Sequence, residues 1–340
     1  MMDRDTFMAA VPKALKERLP NEFANCKIKQ GEYYKTNRKV NALSIEMPGK
    51  ENNASPNFNL DDEYKYYENT GDFNSCIDRM ARIIVQSKDK NFDLSLMNDV
   101  ERLKENIIMQ LINTDSNKEL LNVAPHREIN DCSVVYRVLM QNTKDGIATV
   151  LIDNNMLKAF DMTESDLFAH AQESTKKLLP PVIKPISEVL PMCIPDEMRE
   201  MFQEMGMPEM PMFQPEEELY ILTNTSGVHG AAQMLYADNL QQVADKVGND
   251  IYVLPSSVHE VLCVNKDKMS VEELQDMVRE VNATIVDLAD RLSNQVYLYD
   301  RTERTLTMVS DGKNRDIRDG IDASKVAEKN MEYEVNSLIR

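Results

Sequence analysis

Residues 134–152 read VVYRVLMQNTKDGIATVLI. Two short runs rich in β-branched residues flank a polar break that ends in Asp145-Gly146, a dipeptide suited to a tight hairpin turn. The run IIMQLI (107–112) just upstream has the same character. Three strands are therefore expected in the middle of the chain, the last two joined as a hairpin.

Helices are expected on both sides of these strands. Upstream, Phe7, Met8, Val11, Leu15 and Leu19 share one face of a helix over 5–19. Strands follow at 26–30 and 41–48, with GEYYKTNRK (31–39) as the turn between them and PGKENNASP (48–56) as a loop. Ile77, Met80, Ala81 and Ile84 predict a helix over 72–87, and a more acidic one is expected over 93–105. Downstream, Thr163 caps a helix whose Leu167, Ala171, Thr175 and Leu178 line one side.

Composition then shifts. Residues 180–218 hold eight prolines and seven methionines, which reads as an exposed linker with a short helix at DEMREMFQEM. Beyond it, ELYILTN (218–224) is a strand, and GAAQMLY (230–236) is either a strand or a short helix. Asp238 opens a helix carrying Leu240, Val243, Ala244 and Val247, with Gly248 as its stop. DIYVLPSSVHEVLCV (250–264) returns to strand. Ser270 and Glu273 form a capping box for a helix with Val271, Leu274, Met277, Val278 and Val281 as its buried stripe. A hairpin at 295–300 and 305–309 follows, then a last helix at 322–340. Strands and helices alternate too irregularly for a doubly wound sheet. The expected class is α+β, mixed sheets packed with amphipathic helices. Its expected regions are an N-terminal one (1–179), the linker (180–217) and a C-terminal one (218–340).

Charge and cysteines bound the setting. Against 39 basic residues stand 57 acidic ones, a net charge of −18, which repels phosphate backbones and anionic membranes. No nucleic acid and no membrane are expected as partners. Cys26, Cys76, Cys132, Cys193 and Cys263 form no C-x-x-C pair, so neither a zinc framework nor a disulfide scaffold is indicated. The opening residues alternate charge with apolar positions, unlike a signal peptide, and a cytoplasmic location is expected.

The stretch LPSSVHEVLCV (254–264) embeds hydroxyls, an imidazole and a carboxylate among aliphatics. On one strand Ser257 and His259 would share a face, the first half of a serine–histidine pair. However, Cα atoms two apart on a strand lie roughly 6–7 Å apart, and no G-x-S-x-G elbow is present. A kink at Pro255-Ser256-Ser257 with locally bonded hydroxyls is the simpler expectation. Of the four histidines, His126, His229 and His259 would have to converge with Glu128 or Glu260 to hold a metal, because H-x-x-x-H spacing is missing. His170 sits on a charged helix. Gly227 and Gly230 flank His229 in TNTSGVHGAAQML; a tight turn explains them as well as an anion-binding turn does. The methionines at 192, 198, 201, 205, 207, 210 and 212 suit Cu(I) or a partner's groove, but a linker is again the simpler reading. The sequence does not name a cofactor.

Several ordered phrases carry a family likeness: ELLNVAPHREINDCSVVYRVL, IATVLIDNNMLKAFDMTESDLFAHA, LYILTNTSGVHGAAQML, YVLPSSVHEVLCV and VREVNATIVDLADRLSNQVYLYDR. Together they resemble the uncharacterised bacterial family termed domain of unknown function 5688, from the first helix to Arg301. Their layout is more distantly similar to domain of unknown function 1444. The resemblance implies a cytoplasmic bacterial protein and brings no settled activity. His126, His229, Ser256, Ser257, His259 and Glu260 fall within family phrases and form the candidate binding or structural polar cluster, without catalytic assignment. The segment 191–217 corresponds to none of these phrases. The expected function is a non-enzymatic module that binds a protein or a small ligand. The alternative is a hydrolase-type enzyme using His126, His229 and His259 with acidic neighbours, with or without a metal.

Overall fold

The computed structural model describes residues 1–46, 57–87, 94–143, 146–193, 219–310 and 312. The expected turn residue Asp145, the loop at 48–56, the methionine-rich segment from 194 to 217 and the last helix at 322–340 lie outside them. The chain divides into two compact units, Met1–Arg102 and Leu103–Arg340.

The first unit packs helices on a small sheet. Helix α1 (Arg4–Arg18) starts at Asp3, whose carboxylate accepts the Thr6 N–H at 2.8 Å. Strands β1 (Lys27–Lys35), β2 (Arg38–Glu46) and β3 (Asn57–Asn59) form an antiparallel sheet in that order. The polar GEYYK stretch, expected as turn, belongs to β1. The reversal comes at Thr36-Asn37, where Asn37 takes a φ of 61°, and Lys35 then pairs with Arg38. Polar residues suit this strand because most of β1 is exposed. Helices α2 (Leu60–Thr70) and α3 (Phe73–Ser87) complete a core of Phe7, Val11, Leu15, Leu43, Met80 and Ile84. The segment expected as one helix over 93–105 is a 3-10 turn, Leu94–Asn98, and then α4 (Val100–Lys104).

The second unit holds two antiparallel sheets. In one, β4 (Ile107–Asn113) pairs along one edge of β6 (Cys132–Thr143). Strands β5 (His126–Ile129) and β7 (Gly146–Leu151) take the opposite edge, β5 along Cys132–Val135 and β7 from Arg137 onward, with a register shift inside the β6–β7 ladder between Leu139 and Gln141. Short helix α5 (Lys118–Val123) lies between β4 and β5 in sequence, and α6 (Asn154–Ala159) follows β7. Helix α7 (Glu164–Leu178) begins at the capping box of Thr163 and Asp166. Its Thr175 Oγ1 accepts the Met109 N–H at 2.9 Å, satisfying a donor on β4 that no strand pairs.

The other sheet has six strands in the order β13-β12-β10-β11-β9-β8. They are β8 (Pro181–Pro185), β9 (Tyr220–Asn224), β10 (Ile251–Leu254), β11 (Val261–Asn265), β12 (Tyr297–Asp300) and β13 (Thr305–Met308). Three helices accompany them: α8 (Ile186–Cys193), α9 (Ala237–Val247) and α10 (Val271–Thr284). The start of the expected linker is thus structured, since β8 pairs with β9 from Pro181↔Asn224 to Pro185↔Tyr220. Prolines fit there because β8 is an edge strand, where a missing N–H is tolerated. All described strand pairs are antiparallel, so the α+β class holds with antiparallel in place of mixed sheets.

Leu274 and Val278 of α10 pack on Leu254, Val264 and Val296. Met277, expected in that buried stripe, is 41% exposed. Gln275 and Asn282 are buried in its stead, donating to Gln295 Oε1 at 3.2 Å and to Ser293 O at 2.9 Å. On the other face, the Tyr299 hydroxyl of β12 donates to Ala237 O of α9 at 3.1 Å.

The run 250–264, expected as one strand, is two. Strands β10 and β11 pair with Leu254 opposite Leu262, and Pro255–Glu260 forms the loop between them. The expected kink at Pro255-Ser256-Ser257 is therefore a full chain reversal. The segment GAAQML is a 3-10 turn, Gly230–Leu235.

Candidate functional site

Two turns of the second unit meet at the histidines. After β9, Asn224 ties off a tight loop: its Oδ1 accepts the Ser226 N–H at 2.9 Å, and its Nδ2 donates to Val228 O at 2.9 Å. Gly227 and His229 both take left-handed backbone, with φ of 67° and 57°. Gly230 then passes so close to its neighbours that an added Cβ would fall well under 3.0 Å from Thr223 Oγ1 and from His259 O. Here Gly is required for close approach, while Gly227 supplies the positive φ.

The facing loop, 255–260, is pinned from several sides. The Val258 N–H donates to Asp290 O at 2.7 Å, and the Leu292 N–H to Ser256 O at 2.9 Å. Ser257 is buried, and its Oγ accepts the His259 N–H at 3.0 Å. The Thr223 hydroxyl donates to His259 O at 2.8 Å.

The His259 ring bridges the two turns. Its Nδ1 accepts the backbone N–H of His229 at 3.3 Å, and its Nε2 lies 3.2 Å from Asp290 Oδ1. A backbone N–H can only donate, so Nδ1 carries the lone pair and Nε2 carries the proton given to Asp290. The Ser257 hydroxyl meets the His259 backbone and not its ring. The serine–histidine pairing that a single strand would allow is therefore replaced by a local turn bond.

The rings of His229 and His259 lie 6.2 Å apart and nearly parallel. His229 Nδ1 is buried without a hydrogen-bond partner among the described residues. Burial, then the charge of Arg137, then His259 push its pKa down to about 3, so the ring is neutral.

Arg137 is the residue that sequence reading passed over. It stands in the middle of β6, opposite Leu151 of β7. Its Nε donates to Thr149 Oγ1 at 2.7 Å and its Nη1 to Gln110 Oε1 at 3.1 Å. Both acceptors are neutral, and among the described residues no carboxylate pairs with this guanidinium. Burial alone pulls its pKa down to about 10, and the residue keeps partial contact with solvent. The available signal was a lone charge inside VVYRVLM, between the buried runs Val134–Tyr136 and Val138–Leu139.

The other candidates are placed as follows. His126 pairs across β6 with Val135, and its Nδ1 lies 3.0 Å from Ala124 O. No hydrogen bond or ring contact joins it to His229 or His259. Ser256 and Glu260 are half-buried in the β10–β11 loop. His170 is half-buried on α7. The structure thus brings His229, His259 and Ser257 together, with no hydrogen bond or ring contact joining His126 to them. Among the described residues no three His, Cys, Asp or Glu side chains are grouped to hold a metal ion, and no helix is long and apolar enough to cross a membrane.

A second polar centre lies deeper. Buried Asp131 accepts hydrogen bonds from the Ser293 hydroxyl at 2.6 Å and from the Tyr297 hydroxyl. It ties the β5–β6 turn to β12. Beside it is a largely apolar cavity of about 240 Å³, lined by Leu111, Cys132, Met234, Leu240 and Tyr297 among others.

The fold and these turns define an α+β protein whose His229 and His259 meet where two strand-connecting loops come together. The chain belongs to the family of unknown function DUF5688, whose pattern matches residues 4–301. No curated protein and no solved structure matches it.

Proposed function

We propose that this chain is a non-enzymatic module that binds a small ligand or a protein. The observation that carries the reading is the bonding of His259. Both of its ring nitrogens are engaged, one by a backbone donor and one by Asp290. A general base needs a free nitrogen within reach of the proton it removes. His126 points its Nδ1 at a backbone carbonyl two residues away, and His229 is a neutral ring whose Nδ1 water cannot touch. The His259 and His126 rings bond to the turns around them.

The hydrolase alternative draws on the closeness of His229 and His259. It uses His126, His229 and His259 with acidic neighbours, and requires His259 to release one of its two bonds. The test is capture from lysate of the native host, with retained small molecules and proteins identified by mass spectrometry. In parallel, the purified chain is incubated with acyl and phosphoryl ester probes. A retained ligand or partner with no turnover is expected. Ester turnover that His259→Ala abolishes in a folded variant would overturn the reading.

A further inference from the structure

We propose that the partly exposed Arg137 forms an oxyanion site, taking a carboxylate or phosphate group of a small molecule on the free edge of the guanidinium. This rests on the ligand-binding reading above and names its ligand class.

A guanidinium taken out of water without a counter-ion is costly, and buried charges in folded proteins are as a rule paired. Arg137 is fixed in place by Thr149 and Gln110, which orient it through Nε and Nη1 and neutralise nothing. Nη2 has no partner among the described residues. A planar fork with one edge fixed and the other open matches the two oxygens of a carboxylate or phosphate. The residue is also reachable, since it keeps partial exposure while its neighbours along β6 are buried.

The surroundings favour an anion. Gln110 and Thr149 are neutral, the nearby His229 ring is uncharged, and among the described residues no acid competes for the guanidinium. Among the described residues the positive charge is uncompensated. The overall −18 works the other way at long range and repels polyanions. The ligand is accordingly a small singly or doubly charged oxyanion, not a nucleic-acid backbone.

The experiment titrates the full chain with inorganic phosphate and, separately, with acetate. Chloride holds ionic strength constant, and both calorimetry and thermal unfolding are read. Saturable binding with a Kd of about 1 mM or tighter is expected for one of the two, with a rise in Tm. The anion that binds tells phosphate from carboxylate chemistry. Arg137→Gln should weaken it at least tenfold, and Thr149→Val, which leaves the charge but frees its plane, should weaken it less. If Arg137→Gln does not fold, Thr149→Val with the wild type carries the test. Saturable binding absent for both anions, or unchanged in the variants, overturns the site. The ligand-binding reading survives that outcome if a ligand is retained elsewhere on the chain, and falls separately if the chain turns over an ester.

Discussion

Replacing His229 with asparagine should flatten part of the acid sensitivity of the second unit. Asparagine tolerates the left-handed backbone that the φ of 57° imposes and carries no titratable group. In the folded chain the His229 pKa is depressed from 6.5 to about 3. The sign follows from the protons bound in each state. Between these values the unfolded chain binds a proton that the folded chain refuses, so stability is complete above 6.5 and is lost as pH falls toward 3. At pH 5 the unfolded imidazole is about 97% protonated and the folded one about 1%. Integrating from pH 7 to pH 5 gives a loss of about 2 kcal/mol from this one residue. Any folded value below about 4 gives nearly the same loss. Urea unfolding of wild type and His229→Asn at both pH values reads it out, since carboxylate effects are common to both proteins. The stability gap between them should change by about 2 kcal/mol across the interval, in favour of the variant at pH 5. Parallel pH profiles would show that His229 is not held neutral in the fold, and the reasoning would fail.

Three further outcomes follow from the same turns. Gly230→Ala should cost about 3 kcal/mol or more, because its Cβ would strike Thr223 Oγ1 and His259 O, and a carbonyl at a pinned loop has little room to retreat; wild-type stability in denaturant titration would refute the packing. His259→Ala should lose about 1–3 kcal/mol while the folded fraction keeps its ligand affinity, and a well-folded variant without binding would contradict a structural role. Asp131→Ala should cost about 2–4 kcal/mol, since the Ser293 and Tyr297 hydroxyls would be left in a buried site without their acceptor; a change within about 0.5 kcal/mol would show that the network adds nothing.

Much of the architecture was legible where one period ran long enough. The capping boxes at Thr163 and Ser270, the stop at Gly248 and the β6–β7 and β12–β13 hairpins all follow from local chemistry. The β10–β11 loop was not legible, because it lacks a glycine or asparagine turn. It is held from outside by Asp290 and Leu292, some 30 residues downstream. Edge strand β8 was hidden for a related reason, since prolines mark linkers and tolerated edges alike. Met277 fell out of its stripe because Gln275 and Asn282 found buried partners across the next turn. The site followed the same rule. Local sequence pointed to the histidines, and the meeting of His229 with His259 depends on two turns of different strands. Arg137 needed the registers of β4 and β7 before its lack of an acid could be seen.

The most direct check on the architectural role of these imidazoles is the position of the ring proton on His259. Long-range proton–nitrogen NMR spectra of histidine-labelled protein report it. The proton should reside on Nε2, bonded to Asp290, with Nδ1 accepting from the His229 amide. A proton on Nδ1 with Nε2 open would leave a base free to act and would contradict the account.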